Sequence, residues 1–142
     1  MKIAVIDGQG GGIGKHITEK IRRVVSEETE IIALGTNALA TACMLKAGAN
    51  EGATGENAIV FTVKQVDIIV GAISLLAANS MLGEVSPRIA AAVGESPAKK
   101  ILLPVNRSGI EIIGVSKEPL PHQIEELASL VRKYEGEQNG RG

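Results

Sequence analysis

The sequence predicts one three-layer α/β domain with a mainly parallel sheet. Three observations predict it. The chain opens on a short apolar run, Lys2 to Ile6, that passes through glycines directly into a helix-periodic stretch. Apolar runs of strand length then alternate with helix-length segments as far as residue 105, the pattern of parallel strands joined by right-handed crossovers. The 142 residues, 44% apolar and 22% charged, suit a single core of ordinary composition.

Each element has a local reason. Lys2 to Ile6 is rich in β-branched residues and ends at Asp7-Gly8, as a buried parallel strand does. Ile13, Ile17, Ile21, Val24 and Val25 recur at helical spacing, with Lys15, Glu19, Lys20, Arg22 and Arg23 on the other side. Glu30 to Leu34 is a second strand, stopped by Gly35. Thr36 or Asn37 caps a helix from Ala38 to Ala47, which Gly48 ends. A short strand is expected at Gly52 to Thr54. Glu56 to Gln65 reads as a helix, although Val60 to Val63 also suits a strand. Asp67 to Ile73 is a central strand. Ser74 to Gly94 reads as mostly helical, interrupted near Ser86-Pro87.

Lys99 to Val105 is a further strand, Asn106 to Gly109 a turn, and Ile110 to Val115 its hairpin partner. Pro119 and Pro121 introduce a last helix with Ile124, Leu127, Ala128, Val131 and Tyr134 on one face. The domain is expected to span 1–135, and the polar, glycine-rich residues 136–142 to form a disordered tail. The expected parallel order is 3-2-1-4-5, with the hairpin strand at the far edge.

Composition excludes several function classes. A formal net charge of -1 gives no basic field for nucleic acid. Phe61 and Tyr134 are the only aromatic residues, too few for a base-stacking platform. Cys43 is the only cysteine, so an internal disulfide and a cysteine zinc cluster are both ruled out. The longest apolar stretch, Ile68 to Ala78, falls short of the ~20 residues of a membrane span. No membrane partner and a cytoplasmic location are expected.

The chemistry lies in the first loop. A phosphate-binding loop needs a sharp turn out of a strand, backbone N–H groups that side chains do not screen, and a helix start aimed at the anion. Gly8-Gln9-Gly10-Gly11-Gly12-Ile13-Gly14 supplies all three. The G-x-G-x-x-G spacing is not met, because position 13 is Ile. The spacing of Gly8, Gly12 and Gly14 instead resembles the T-G-x-x-x-G-I-G loop of short-chain dehydrogenases, with Asp7 in place of Thr. That resemblance implies NAD or NADP as the ligand. The family's Tyr-x-x-x-Lys is missing, since Tyr134 is followed four residues later by Gln138. Its reaction therefore does not carry over.

Asp7 is constrained by electrostatics. A carboxylate beside a bound pyrophosphate is repelled by several kcal/mol at an effective dielectric of about 20. It must bond the loop's own N–H groups or hold a cation that the phosphates share; the first is the simpler role. Dinucleotide sites usually place an acid at the end of the second strand, on the ribose hydroxyls. Here Thr36 and Asn37 stand there, able to bond a ribose hydroxyl or tolerate a 2′-phosphate, and also to cap the helix.

Gly11-Gly12-Ile13-Gly14-Lys15 also resembles the deviant Walker loop of partitioning ATPases. The leading Lys is replaced by Gly10, the magnesium-binding Ser/Thr by His16, and the strand at Ile68 to Val70 ends in Gly71 in place of an acid.

Ligands of such sheets bind beyond the C-terminal strand ends. That rim collects Gly8 to Ile13, Thr36, Asn37, Gly55 to Asn57, Gly71 to Ser74 and Asn106. Gly71, Ala72 and Ser74 stand where a nicotinamide ribose would lie, and Asn57 where an adenine edge would. Glu84, Ser86 and Arg88 either close over the ligand or are solvated surface. The only histidines are His16 and His122, which form no Ser/His/Asp set.

Gly35 to Ala38, Ala53 to Asn57, Leu82 to Glu84 and Lys99 to Asn106 together resemble a bacterial family known only as a domain of unknown function. The resemblance implies a short Rossmann-like protein and no particular activity. The sequence thus points to binding of a nucleotide or dinucleotide, NAD or NADP or another adenine nucleotide, without the usual dehydrogenase chemistry. The alternatives are a small oxidoreductase completed by a partner, a structural protein whose loop is only a turn, and a deviant P-loop ATPase. No catalytic residue is assigned and no metal site is expected. The apolar helix from Ala38 to Ala47 and the Leu- and Ala-rich region from Leu75 to Val93 predict a homodimer.

Overall fold

The computed structural model describes residues 1–105 and 109–140. The chain runs β1 (Lys2–Asp7), α1 (Gly12–Val24), β2 (Glu30–Gly35), α2 (Ala38–Lys46), β3 (Glu51–Thr54), α3 (Glu56–Thr62) and β4 (Ile68–Ala72). A single 3-10 turn (Ile73–Leu76), α4 (Pro87–Glu95), β5 (Lys99–Leu103) and α5 (Leu120–Gly140) follow. The sheet order is β3-β2-β1-β4-β5, and every pairing is parallel. This is the predicted Rossmann-like architecture, with β1 in the centre.

Strand periodicity divides the core. Successive side chains of a strand point to opposite faces. Ile3 and Val5 of β1, with Ile68 and Val70 of β4, meet Ile17 and Ile21 of α1, Ala40 and Met44 of α2, and Ile124, Leu127 and Val131 of α5. Ala4, Ile6 and Ile69 instead meet Ile59 and Val63 near α3, and Ile89 and Val93 of α4. The two helical layers therefore cover a sheet that is apolar on both sides.

Three expectations are corrected. Ile110 to Val115 forms no strand, and among the described residues β5 pairs only with β4. Gly109 and Gly114 take left-handed backbone at either end of the run, which breaks its extension. Ile112 and Val115 instead line a hollow of about 420 Å³ of mixed character, with Ile101, Leu103 and Leu127 beside Glu118, Gln123 and Glu126. The turn at Asn106 to Ser108 and the rim residue Asn106 lie outside the described residues.

The second correction is between β4 and α4. The region expected to be mostly helical holds one 3-10 turn and then a looped segment over 77–86. Asn79, Met81 and Leu82 have positive φ, and Gly83 follows them. Helix resumes only where the Ser86 hydroxyl accepts from the Ile89 N–H, with Pro87 at the first helical position.

Third, α5 continues through the stretch expected to be disordered, as far as Gly140. The Glu135 carboxylate accepts from the Ser26 N–H at 3.1 Å and from the Thr29 hydroxyl, so the end of the helix is tied to the loop after α1.

Candidate functional site

Parallel pairing sets the C-terminal ends of β1 and β2 side by side, with Asp7 opposite Gly35. The glycine loop and the start of α2 leave from that edge. The Gly11 N–H donates to the Gly8 carbonyl at 3.0 Å, closing the turn. Gly11 then sits in left-handed backbone as the N-cap of α1, with no side chain capping the helix.

Three of the loop glycines are demanded by packing. A Cβ at Gly8 would lie 2.5 Å from Thr36 Oγ1, and one at Gly11 2.8 Å from Ala40 Cα. At Gly14 it would lie 2.7 Å from Met44 Sδ and 2.8 Å from Asp7 Cβ. Gly10 and Gly12 differ from these. Neither has positive φ, and a Cβ at either would meet nothing within 4 Å.

The Asp7 carboxylate is 6% exposed. It accepts from the Gly8 N–H at 2.8 Å and from the Gly14 N–H at 2.6 Å. The simpler of the two roles open to it is thus the one adopted. Burial pushes its pKa up, the two N–H bonds oppose that, and the nearby Glu84 charge adds to the rise.

A second carboxylate reaches the loop from the 77–86 segment. Glu84 Oε1 accepts from the Gln9 N–H at 3.0 Å, the Thr36 hydroxyl at 2.7 Å and the Asn37 side-chain amide at 2.8 Å. The Thr36 hydroxyl bond leads the causes that hold its pKa below the ordinary glutamate value, ahead of the Gln9 N–H. An acid therefore does stand at the end of the second strand, although it comes from the fourth crossover. Among the described residues nothing accepts from the N–H groups of Gly10, Gly12 and Ile13. These three donors stand at the positive end of α1.

The model of the domain of unknown function DUF3842 matches residues 2–136. The chain belongs to this family. No curated protein matches it. Among solved structures it is similar to a dodecameric FMN-dependent UbiX-like decarboxylase from Escherichia coli O157:H7. The two are 15% identical with a TM-score of 0.47, over 94% of this chain and 76% of that one. The flavin and the dodecamer are properties of that protein.

In this DUF3842 chain the remaining predicted residues divide into two groups. Thr36 and Asn37 join the loop. Asn37 Oδ1 accepts from the Ala40 N–H, capping α2, while its amide also donates to the Gln9 carbonyl at 2.9 Å. Thr36 does not cap the helix. Gly71, Ala72 and Ser74 do not join the loop's exposed face. Ala72 and Ser74 are buried, and a Cβ at Gly71 would lie 2.8 Å from the Ile6 carbonyl. Gly71 is thus explained by close packing. The Ser74 hydroxyl has no hydrogen-bond partner among the described residues. Asn57 is exposed near the start of α3, and neighbouring Glu56 pairs with Arg88 at 3.6 Å. His16 and Lys15 are exposed on α1. No helix among the described residues is long and apolar enough to cross a membrane.

Proposed function

We propose that this chain binds a phosphate-bearing nucleotide, of the NAD(P) or another adenine type, through Gly10 to Ile13 and the rim formed by Thr36 and Asn37. One observation carries the reading. Gly10 and Gly12 are glycines that neither backbone conformation nor packing requires, and their N–H groups, with that of Ile13, have no acceptor among the described residues. Close approach of an anion to the backbone explains such glycines, because any side chain would fill the space it needs. The Rossmann-like sheet puts the loop at the edge where such folds hold ligands. The absent Tyr-x-x-x-Lys favours binding without dehydrogenase chemistry.

Gly12→Val is the test. NAD, NADP and ADP are titrated against both proteins by calorimetry, and amide shifts are followed by NMR. The wild type should bind at least one with shifts at residues 10–14. Gly12→Val should lose that binding with its melting temperature unchanged. A nucleotide that binds while leaving those amides unmoved would overturn the assignment.

We further propose that the chain is a twofold dimer through α2. Leu39, Ala42 and Leu45 recur every three residues and are all exposed, a stripe that a second copy would cover.

A further inference from the structure

An anion-binding loop that already holds a carboxylate is an unusual arrangement. Glu84 Oε1 takes the Gln9 N–H of the loop together with the Thr36 and Asn37 donors of the rim. These are groups that a phosphate or a sugar hydroxyl would use. The carboxylate is brought there by a shaped segment. The Asn79 N–H donates to the Val85 carbonyl at 2.7 Å, and the Ser80 hydroxyl to the Ser74 carbonyl at 2.6 Å. Met81 comes down on the loop beside Glu84, its Sδ 3.0 Å from where a Gly8 Cβ would stand. Leu82, at the tip, is almost wholly exposed.

We propose that Glu84 is a resident anion of the glycine loop, an autoinhibitory contact that a phosphate-bearing ligand must displace. This rests on the nucleotide-binding reading above. Two negative charges cannot share the Gln9 donor, and the buried Asp7 beside it makes a third charge costlier still. Ligand entry therefore turns Glu84 out to solvent, frees the Gln9, Thr36 and Asn37 donors, and loosens the tip at Leu82 to Glu84. Glu84 is already half-exposed, while Val85, fully buried, keeps the base of the segment in the core. Residues 82–84 are then held down when the loop is empty and released when it is filled.

Inorganic pyrophosphate is the probe, titrated against wild type, Glu84→Gln and Glu84→Ala, with hydrogen exchange of residues 79–85 measured with and without it. Both variants should bind about tenfold tighter than wild type, and pyrophosphate should speed exchange at 82–84 in the wild type. Equal or weaker binding by both variants, or slowed exchange in the wild type, would overturn the proposal and make Glu84 a bystander or a direct ligand contact. Absence of binding by all three at millimolar pyrophosphate would instead overturn the nucleotide-binding reading and this inference with it.

Discussion

At the scale of residues, the loop is governed by two carboxylates whose surroundings act in opposite directions. Asp7 is buried, and its pKa is raised. Its contribution to stability is therefore greatest below the unfolded aspartate value and is lost as pH rises through its folded value. Glu84 is half-exposed and lowered from the ordinary value of 4.5. Its contribution is full above that value and is lost as pH falls through the folded one. Urea unfolding of wild type and Glu84→Gln should accordingly show the wild type more stable near neutrality, with the gap closing as pH falls below 4.5. A gap that widens in acid would mean the carboxylate is not stabilised by its three donors. In the same variant, the Asp7 carboxyl should titrate lower than in wild type by NMR, because the charge that helps to raise it has gone.

The same scale shows what the sequence could and could not tell. Charge alone left Asp7 two roles, bonding the loop's own N–H groups or holding a shared cation, and the structure has the first, with the Gly8 and Gly14 N–H groups. Glu84 was legible only as one of several polar residues after the fourth strand. Its reach depends on left-handed backbone at Met81 and Leu82, a conformation that costs about 1–2 kcal/mol per residue and that no residue preference announces. The five loop glycines look alike in sequence, whereas the structure divides them into three held by packing and two left open.

At the scale of elements, the strands were the most legible, because a run apolar on both faces fits only the inside of a parallel sheet. Ile110 to Val115 has the composition of a strand, but left-handed Gly109 and Gly114 break its extension, and Ile110, Ile113 and Val115 stay exposed. The end of α5 has the composition of a tail, yet the buried Glu135 carboxylate ties the helix to the loop after α1 just before it. In the second case local preference was overridden by a tertiary contact. Glu135→Ala tests the second. It leaves the Ser26 N–H and the Thr29 hydroxyl without their acceptor, which should cost about 1–3 kcal/mol. Chemical denaturation measures the loss, and amide exchange should show the last turns of α5 fraying first. Unchanged protection beyond residue 131 would show that apolar packing alone holds the helix.

At the scale of the molecule, the predicted dimer rests on α2. Leu39 is 61% and Leu45 40% exposed, so the helix turns one apolar stripe outward and buries Ala40 and Met44 on another side. Sedimentation equilibrium should find a dimer at micromolar concentration, and Leu39→Lys with Leu45→Lys should convert it to a folded monomer. A wild type that is monomeric throughout would dispose of the interface. The whole-chain reading of the fold needed little more than strand order. The apolar character of α2 was legible in the sequence, but which of its sides is left exposed was not.

The terminal helix has a consequence of another kind. The core cluster containing Ile3 and Val5 is completed by Ile124, Leu127 and Val131 of α5. A ribosome emits the five strands first and those three residues last. Between Leu103 and Val131, at about 5–20 residues per second, the nascent sheet waits roughly 1–6 s with that face covered by α1 and α2 but not yet by α5. A message that slows translation over codons 104–131 would lengthen that exposure.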